Sequence, residues 1–241
     1  MKRLSALLLT VSVLLGFSLP AQALLINQGG GLIYDNVLDI TWLQDANYAQ
    51  TSGYDADGMM TWSQAVTWAD TLSYYDSVRD YTYTDWRLPQ TLPVNGTSYE
   101  YNNYIFSYDG STDVGYNVGA PGSVYPGSTG SEMAYMYYIN LGNLGYYDTS
   151  GSSPQLGWGL NNTGPFTNLL PYAYWSDTAD AATPDYAWFF RFVYGYQTAF
   201  YKTSTYPYTW AVRPGNVIPE PGTLLLLATG LAGLVAGRKK R

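Results

Sequence analysis

The chain has 241 residues, 11 Lys and Arg against 18 Asp and Glu, and neither cysteine nor histidine. Histidine-based triads, cysteine nucleophiles, disulfides and the usual Zn²⁺ sites are thereby excluded. Six of the cations (Lys2, Arg3 and residues 238–241) sit in the two terminal segments, so the stretch from Leu24 to Val217 sets five cations against 17 acids. Its net charge of −12 repels nucleic-acid phosphates and anionic lipid headgroups, so no nucleic-acid partner is expected.

The chain opens with MKRLSALLLTVSVLLGFSLPAQA. Lys2 and Arg3 precede an apolar run from Leu4 to Leu19, and Ala21 and Ala23 occupy the small-residue positions of an A-x-A cleavage site. Residues 1–23 therefore read as a signal peptide, with the mature chain starting at Leu24 outside the cytoplasm. The roughly 190 residues that follow suffice for one domain burying about 70% of its unfolded surface. Aromatic residues supply the core material, with 8 Trp, 26 Tyr and 7 Phe in the chain. So many rings exclude disorder, and the Tyr, Gly, Ser, Thr and Asn content suggests an extracellular β-rich domain with long ordered loops.

In the first zone, Leu24 to about Pro93, the residues Leu32, Tyr34, Val37, Leu38, Ile40, Trp42 and Leu43 predict short strands broken at Asp35-Asn36. TWSQAVTWADTL is the clearest helix. Thr61 caps it, Gln64 completes a capping box, and Trp62, Ala65, Val66, Ala69 and Leu72 form its apolar face. DWRLP follows, with Pro89 ending the element that holds Trp86 and Leu88. The second zone, about 94–170, reads as loop except for a helical turn in SEMAYMYYINLG, where Met133, Met136, Tyr137 and Leu141 are suitably spaced. The third zone runs from Pro171 to Gly215. YAWFFRFVYGYQ places Trp188, Phe190, Phe192 and Tyr194 on one face, and TWAVRPG supplies a last strand carrying Trp210 and Val212. These two runs are expected to pair antiparallel.

DITWLQDANYA, MTWSQAVTWADTL, DWRLPQ, YWSDT, AWFFRF and WAVRPG occur in the order typical of the Lcl C-terminal domain family, which residues 24–215 resemble, with 94–170 as a loop-rich insertion. The resemblance implies an α+β fold: a single compact C-type lectin-like domain with short antiparallel sheets, one or two helices and long loops. It also implies polysaccharide binding of the kind found in adhesins. The Ca²⁺ loop of true C-type lectins is not carried over. Thr183-Pro184-Asp185 lacks its first carboxylate or amide, and Trp175-Ser176-Asp177 lies upstream and lacks the Asn.

Catalysis has few remaining routes. A Ser–Lys dyad would have to use Lys202, and a carboxylate pair for glycan hydrolysis stays formally open, with Glu100 and Glu132 as the only glutamates of the domain. No catalytic residue is assigned, and no cofactor. A weak Ca²⁺ site at Asp55 and Asp57, extended by Asp45 or Asn47, stands beside the alternative of a plain Asp-Gly turn, and Asp177, Asp180 and Asp185 offer a second weak cluster. Sugar binding by ring stacking is more general. Trp42, Trp62, Trp86, Trp188 and Trp210 lie at core-like positions, whereas Trp158, in QLGWGLNNTG, lies among loop residues and is the better ligand candidate, with Tyr146 and Tyr147. Loop stapling is the competing role for all three.

The chain closes with VIPEPGTLLLLATGLAGLVAGRKKR. From Gly222 to Gly237 no residue is charged. As a helix, 16 residues span ~24 Å against a hydrocarbon core of ~30 Å, a short transmembrane helix. Arg238, Lys239, Lys240 and Arg241 stop transfer on the cytoplasmic side. The triplet Pro219-Glu220-Pro221, the apolar span and the basic end make residues 216–241 similar to a PEP-CTERM sorting tail of Gram-negative bacteria. That likeness implies an exosortase-type protease as partner, an inner-membrane intermediate, and delivery to the cell surface or matrix alongside exopolysaccharide and biofilm systems. A plain single-pass anchor is the alternative. The expected function is a non-enzymatic surface or matrix protein that binds polysaccharide; a carboxylate-dependent hydrolase and an envelope-tethered structural protein are the other readings.

Overall fold

A computed structural model describes residues 23–217. Ala21, the Pro219-Glu220-Pro221 triplet, the apolar span and Arg238–Arg241 lie outside the described residues. Among those described, no helix is long and apolar enough to cross a membrane.

Two four-stranded antiparallel sheets and few helices form an α+β fold. Strands β1 (Leu25–Asn27), β2 (Leu32–Asp35) and β3 (Ile40–Leu43) form a meander. The break expected at Asp35-Asn36 is a turn in which Asp35 Oδ1 accepts the amides of Val37 (3.0 Å) and Leu38 (3.1 Å). Helix α1 (Tyr48–Thr51) is a single turn, and α2 (Trp62–Thr71) is the helix expected from its capping box. Thr61 accepts from the Gln64 amide and Gln64 Oε1 accepts from the Thr61 amide at 3.0 Å. Ala65, Trp68 and Ala69 are its buried face. The small hairpin of β4 (Tyr74–Asp76) and β5 (Tyr81–Tyr83) follows.

The stretch 94–170 is mostly loop, yet it is built into the domain. It contributes β6 (Gly115–Tyr116) to the second sheet. It also sends α3 (Glu132–Tyr135), continued by a π turn (Met136–Asn140), into the middle of the core, where Met133, Met136 and Tyr137 are fully buried. Strands β7 (Ala173–Ala179), β8 (Tyr186–Arg191) and β9 (Tyr196–Tyr201) complete that sheet in the order β6-β9-β8-β7.

The last strand, β10 (Val212–Pro214), corrects an expectation. It pairs with β3, Val212 opposite Trp42, and not with β8. The cause is the turn after β8. The amides of Tyr194 and Gly195 both donate to Arg191 O (3.1 and 2.9 Å), folding β9 back beside β8, while β7 takes the other edge. No edge of β8 remains for a third partner. Trp210 is buried against Trp42, ring centroids 4.4 Å apart, and its Nε1 donates to Leu43 O at 2.8 Å. Phe192 lies beyond the end of β8, and Tyr194 sits in the turn, half-buried, so only Trp188 and Phe190 of the expected row share the strand face. Phe189, on the opposite face, is buried too, because Trp175 and the segment leading into α2 cover that side.

Candidate functional site

The loop 142–165 carries Tyr146, Tyr147 and Trp158, and the hydrogen bonds that hold it begin with the β8–β9 turn. Tyr146 N donates to Tyr194 O at 2.8 Å, Gln155 N to Tyr146 O at 3.1 Å, and Gly159 N to Leu144 O at 2.9 Å. Amide side chains peg the same loop. Gln155 Nε2 donates to the carbonyls of Gly145 (2.6 Å) and Tyr147 (3.0 Å), Asn117 Nδ2 to those of Tyr108 (2.7 Å) and Tyr147 (3.0 Å), and Asn161 Nδ2 to Gly157 O (2.8 Å).

This scaffold brings the three candidate rings into one strip. Trp158 stacks parallel to Tyr194, centroids 5.8 Å apart and planes 5° off, and meets Tyr146 edge-on at 4.8 Å. Tyr146 leads to Tyr147 at 5.1 Å, and Tyr147 to Tyr108 (4.7 Å) and Tyr116 (4.8 Å). Tyr116 faces Tyr196 at 4.9 Å across the β6–β9 pairing, and Phe106 closes the patch against Tyr108 (5.3 Å) and Tyr116 (5.7 Å). Phe106 and Tyr108 are exposed; the others are half-buried, so each keeps an accessible edge or face.

The electrostatics of the strip are mild. Burial, with Tyr196 and Tyr147 nearby, pushes the Tyr116 hydroxyl up to about 12, so it stays neutral at physiological pH. Arg191 pulls the hydroxyls of Tyr116 and Tyr196 down against that burial. At the rim, Asp148 is held below the usual carboxylate range by the Ser150 hydroxyl and the amides around it. Tyr116 can therefore offer apolar ring surface and a neutral hydrogen-bonding hydroxyl.

The remaining candidates sit elsewhere. Asp55 Oδ1 accepts the amides of Asp57 (3.1 Å) and Gly58 (2.8 Å), Asp57 Oδ1 that of Met59 (2.9 Å), and Asp45 Oδ1 that of Asn47 (2.9 Å), as in turns that Asp makes for backbone reasons. Among the described residues no group of three or more His, Cys, Asp or Glu is placed to hold a metal ion. Asp177 and Asp180 are on or beside β7, half-buried and buried, and Asp185 is exposed. The buried carboxylate of Asp113 accepts the amides of Val94 (2.7 Å) and Glu100 (2.8 Å), and Glu132 is engaged by Arg87 (2.7 Å).

Sequence reasoning missed Phe106, Tyr108, Tyr116, Tyr194 and Tyr196. The one local signal was the Tyr-Gly-Tyr of residues 194–196, where rings flank a turn glycine. Comparison with known proteins speaks only to the end of the chain. No curated protein and no solved structure matches it. Residues 217–241 match the PEP-CTERM protein-sorting motif, which marks the chain for export, membrane-anchored sorting and processing by an exosortase, a membrane protease.

Proposed function

We propose that the exported domain is a non-enzymatic, lectin-like module that binds polysaccharide, such as the exopolysaccharide of a biofilm matrix, at the cell surface. The observation that carries this reading is the continuous strip from Trp158 and Tyr194 to Tyr116 and Phe106. Successive pyranose rings can lay their apolar faces on such rings while their hydroxyls reach the surrounding loop groups. The ordered likeness of six motifs to the Lcl C-terminal domain family, and the lectin-like fold this implies, support it further, as does a sorting tail that delivers the domain outside the cell.

The test is a glycan pull-down and titration calorimetry on the protein as exported by its host, with Trp158→Ala and Tyr147→Ala variants. Each variant is expected to lose about 1–2 kcal/mol, on the order of tenfold in Kd. No reducing sugar should appear over days of incubation. Unchanged affinity in both variants would remove the strip as the site, and steady release of reducing ends would favour the hydrolase instead.

A further inference from the structure

Beside the strip, on the Phe189 face of the second sheet and past the part that Trp175 covers, lies a groove of about 450 Å³ lined by Phe189, Phe200, Arg191, Thr198, Ser204 and Tyr206. Its size falls within the ~300–1,000 Å³ of ligand clefts. The strand register joins it to the strip. Tyr116 is opposite Tyr196 and Tyr196 opposite Arg191, so the three side chains form one cross-strand row on the same face.

Arg191 differs from the other arginines described. Arg79, Arg87 and Arg213 each hold a carboxylate at 2.5–2.8 Å, on Asp76, Glu132 and Asp85. Arg191 has no carboxylate within 4 Å among the described residues; its Nη2 donates only to the Tyr206 hydroxyl at 3.1 Å. Its guanidinium lies over the rings of Tyr194 (5.7 Å) and Tyr206 (5.6 Å), and its buried Nε has no hydrogen-bond partner among the described residues. A buried charged donor left unmade costs more than a neutral one, and a carboxylate answers it with paired, charge-assisted bonds. The net charge of −12 opposes a polyanion over the surface as a whole, whereas Arg191 acts on a bound carboxylate at contact distance, well inside the ~8 Å screening length.

Building on the polysaccharide-binding reading, we infer that this groove is a subsite for a uronic-acid residue, with Arg191 taking the sugar carboxylate while the neighbouring rings take the chain. The domain thus selects acidic glycans whose charge is a planar carboxylate set beside an apolar ring face.

The test compares polygalacturonate oligosaccharides with their carboxyl-reduced, neutral counterparts, by calorimetry on the exported protein. Wild type should bind the uronate form at least tenfold more tightly. Arg191→Gln should abolish that preference, read as the ratio of the two affinities. Arg191→Lys, which keeps the charge but loses the planar fork, should recover only part of it, and serves equally if the glutamine variant is unstable. Equal binding of the two glycans by wild type, or an unaltered preference in both variants, overturns the inference and leaves the strip intact. Displacement by polyglutamate at matched charge would assign the groove to acidic peptide and also overturn it. Failure of wild type to bind either glycan removes the polysaccharide reading itself, together with this subsite.

Discussion

Gly195 shows how one residue holds the site together. Its φ of +65° is a left-handed conformation that L side chains rarely adopt, and an added Cβ would stand 2.5 Å from Tyr138 Oη and 2.9 Å from Gly145 Cα. The same turn presents Tyr194 and Tyr196 to the strip and fixes the edge on which β9 pairs. Gly195→Ala is expected to cost more than about 2 kcal/mol in urea unfolding, through strain and overpacking together. Asp35 gives a pH prediction. Burial raises its folded pKa above the unfolded value of about 3.9, against the lowering effect of the Leu38 and Val37 amides and the Asn140 side chain. The folded state therefore holds this proton more tightly. Its contribution to stability is present below the unfolded pKa and is lost as pH rises through the folded one. Relative to wild type, Asp35→Asn should gain in urea midpoint as pH is raised from 4 to 7; a difference that stays constant with pH would contradict this.

At the scale of elements, what was legible is what short-range chemistry decides. Helix α2 announces itself by Thr61, Gln64 and the recurrence of Ala65 and Ala69, and its cap exists as expected. Thr61→Ala should lower stability by about 1 kcal/mol, measurable as a shift in the thermal midpoint. The break at Asp35-Asn36 was equally visible, since an Asp side chain closes the turn onto its own backbone. The partner of β10 was not legible. Val212 and Trp42 are 170 positions apart, and no local pattern in WAVRP distinguishes β3 from β8 as its neighbour. Only the β8–β9 turn, by occupying the competing edge, decides it.

At the scale of the whole molecule, the loop candidates Trp158, Tyr146 and Tyr147 stand out in the sequence because rings among glycine and asparagine have no strand or helix to bury them. Their neighbours Tyr116, Tyr194 and Tyr196 could not, because the strip depends on the β6–β9 register and on a loop strapped to a distant turn. Arg191 ends β8, and what sets it apart from the other arginines is the lack, among the described residues, of a carboxylate opposite it. The charge imbalance has a global effect. With 17 acids against five cations between Leu24 and Val217, self-repulsion opposes the folded state. Added NaCl should raise the thermal midpoint, by roughly 2–4 °C for each kcal/mol of repulsion screened; insensitivity to salt between low and physiological strength would contradict this. The sorting motif predicts a processed mass. Protein from a host with an active exosortase should lack Leu224 to Arg241, and protein from an exosortase-deficient strain should keep them, as read by mass spectrometry.

The sheet that begins the domain is closed by the strand that ends it. β3 waits for β10, Trp42 for Trp210, and Val217, buried at 7% exposure, is the last core residue among those described. The meander cannot reach its native form while any part of the chain up to that valine is still in transit through the bilayer. Closure of the first sheet therefore waits until the whole described domain has emerged.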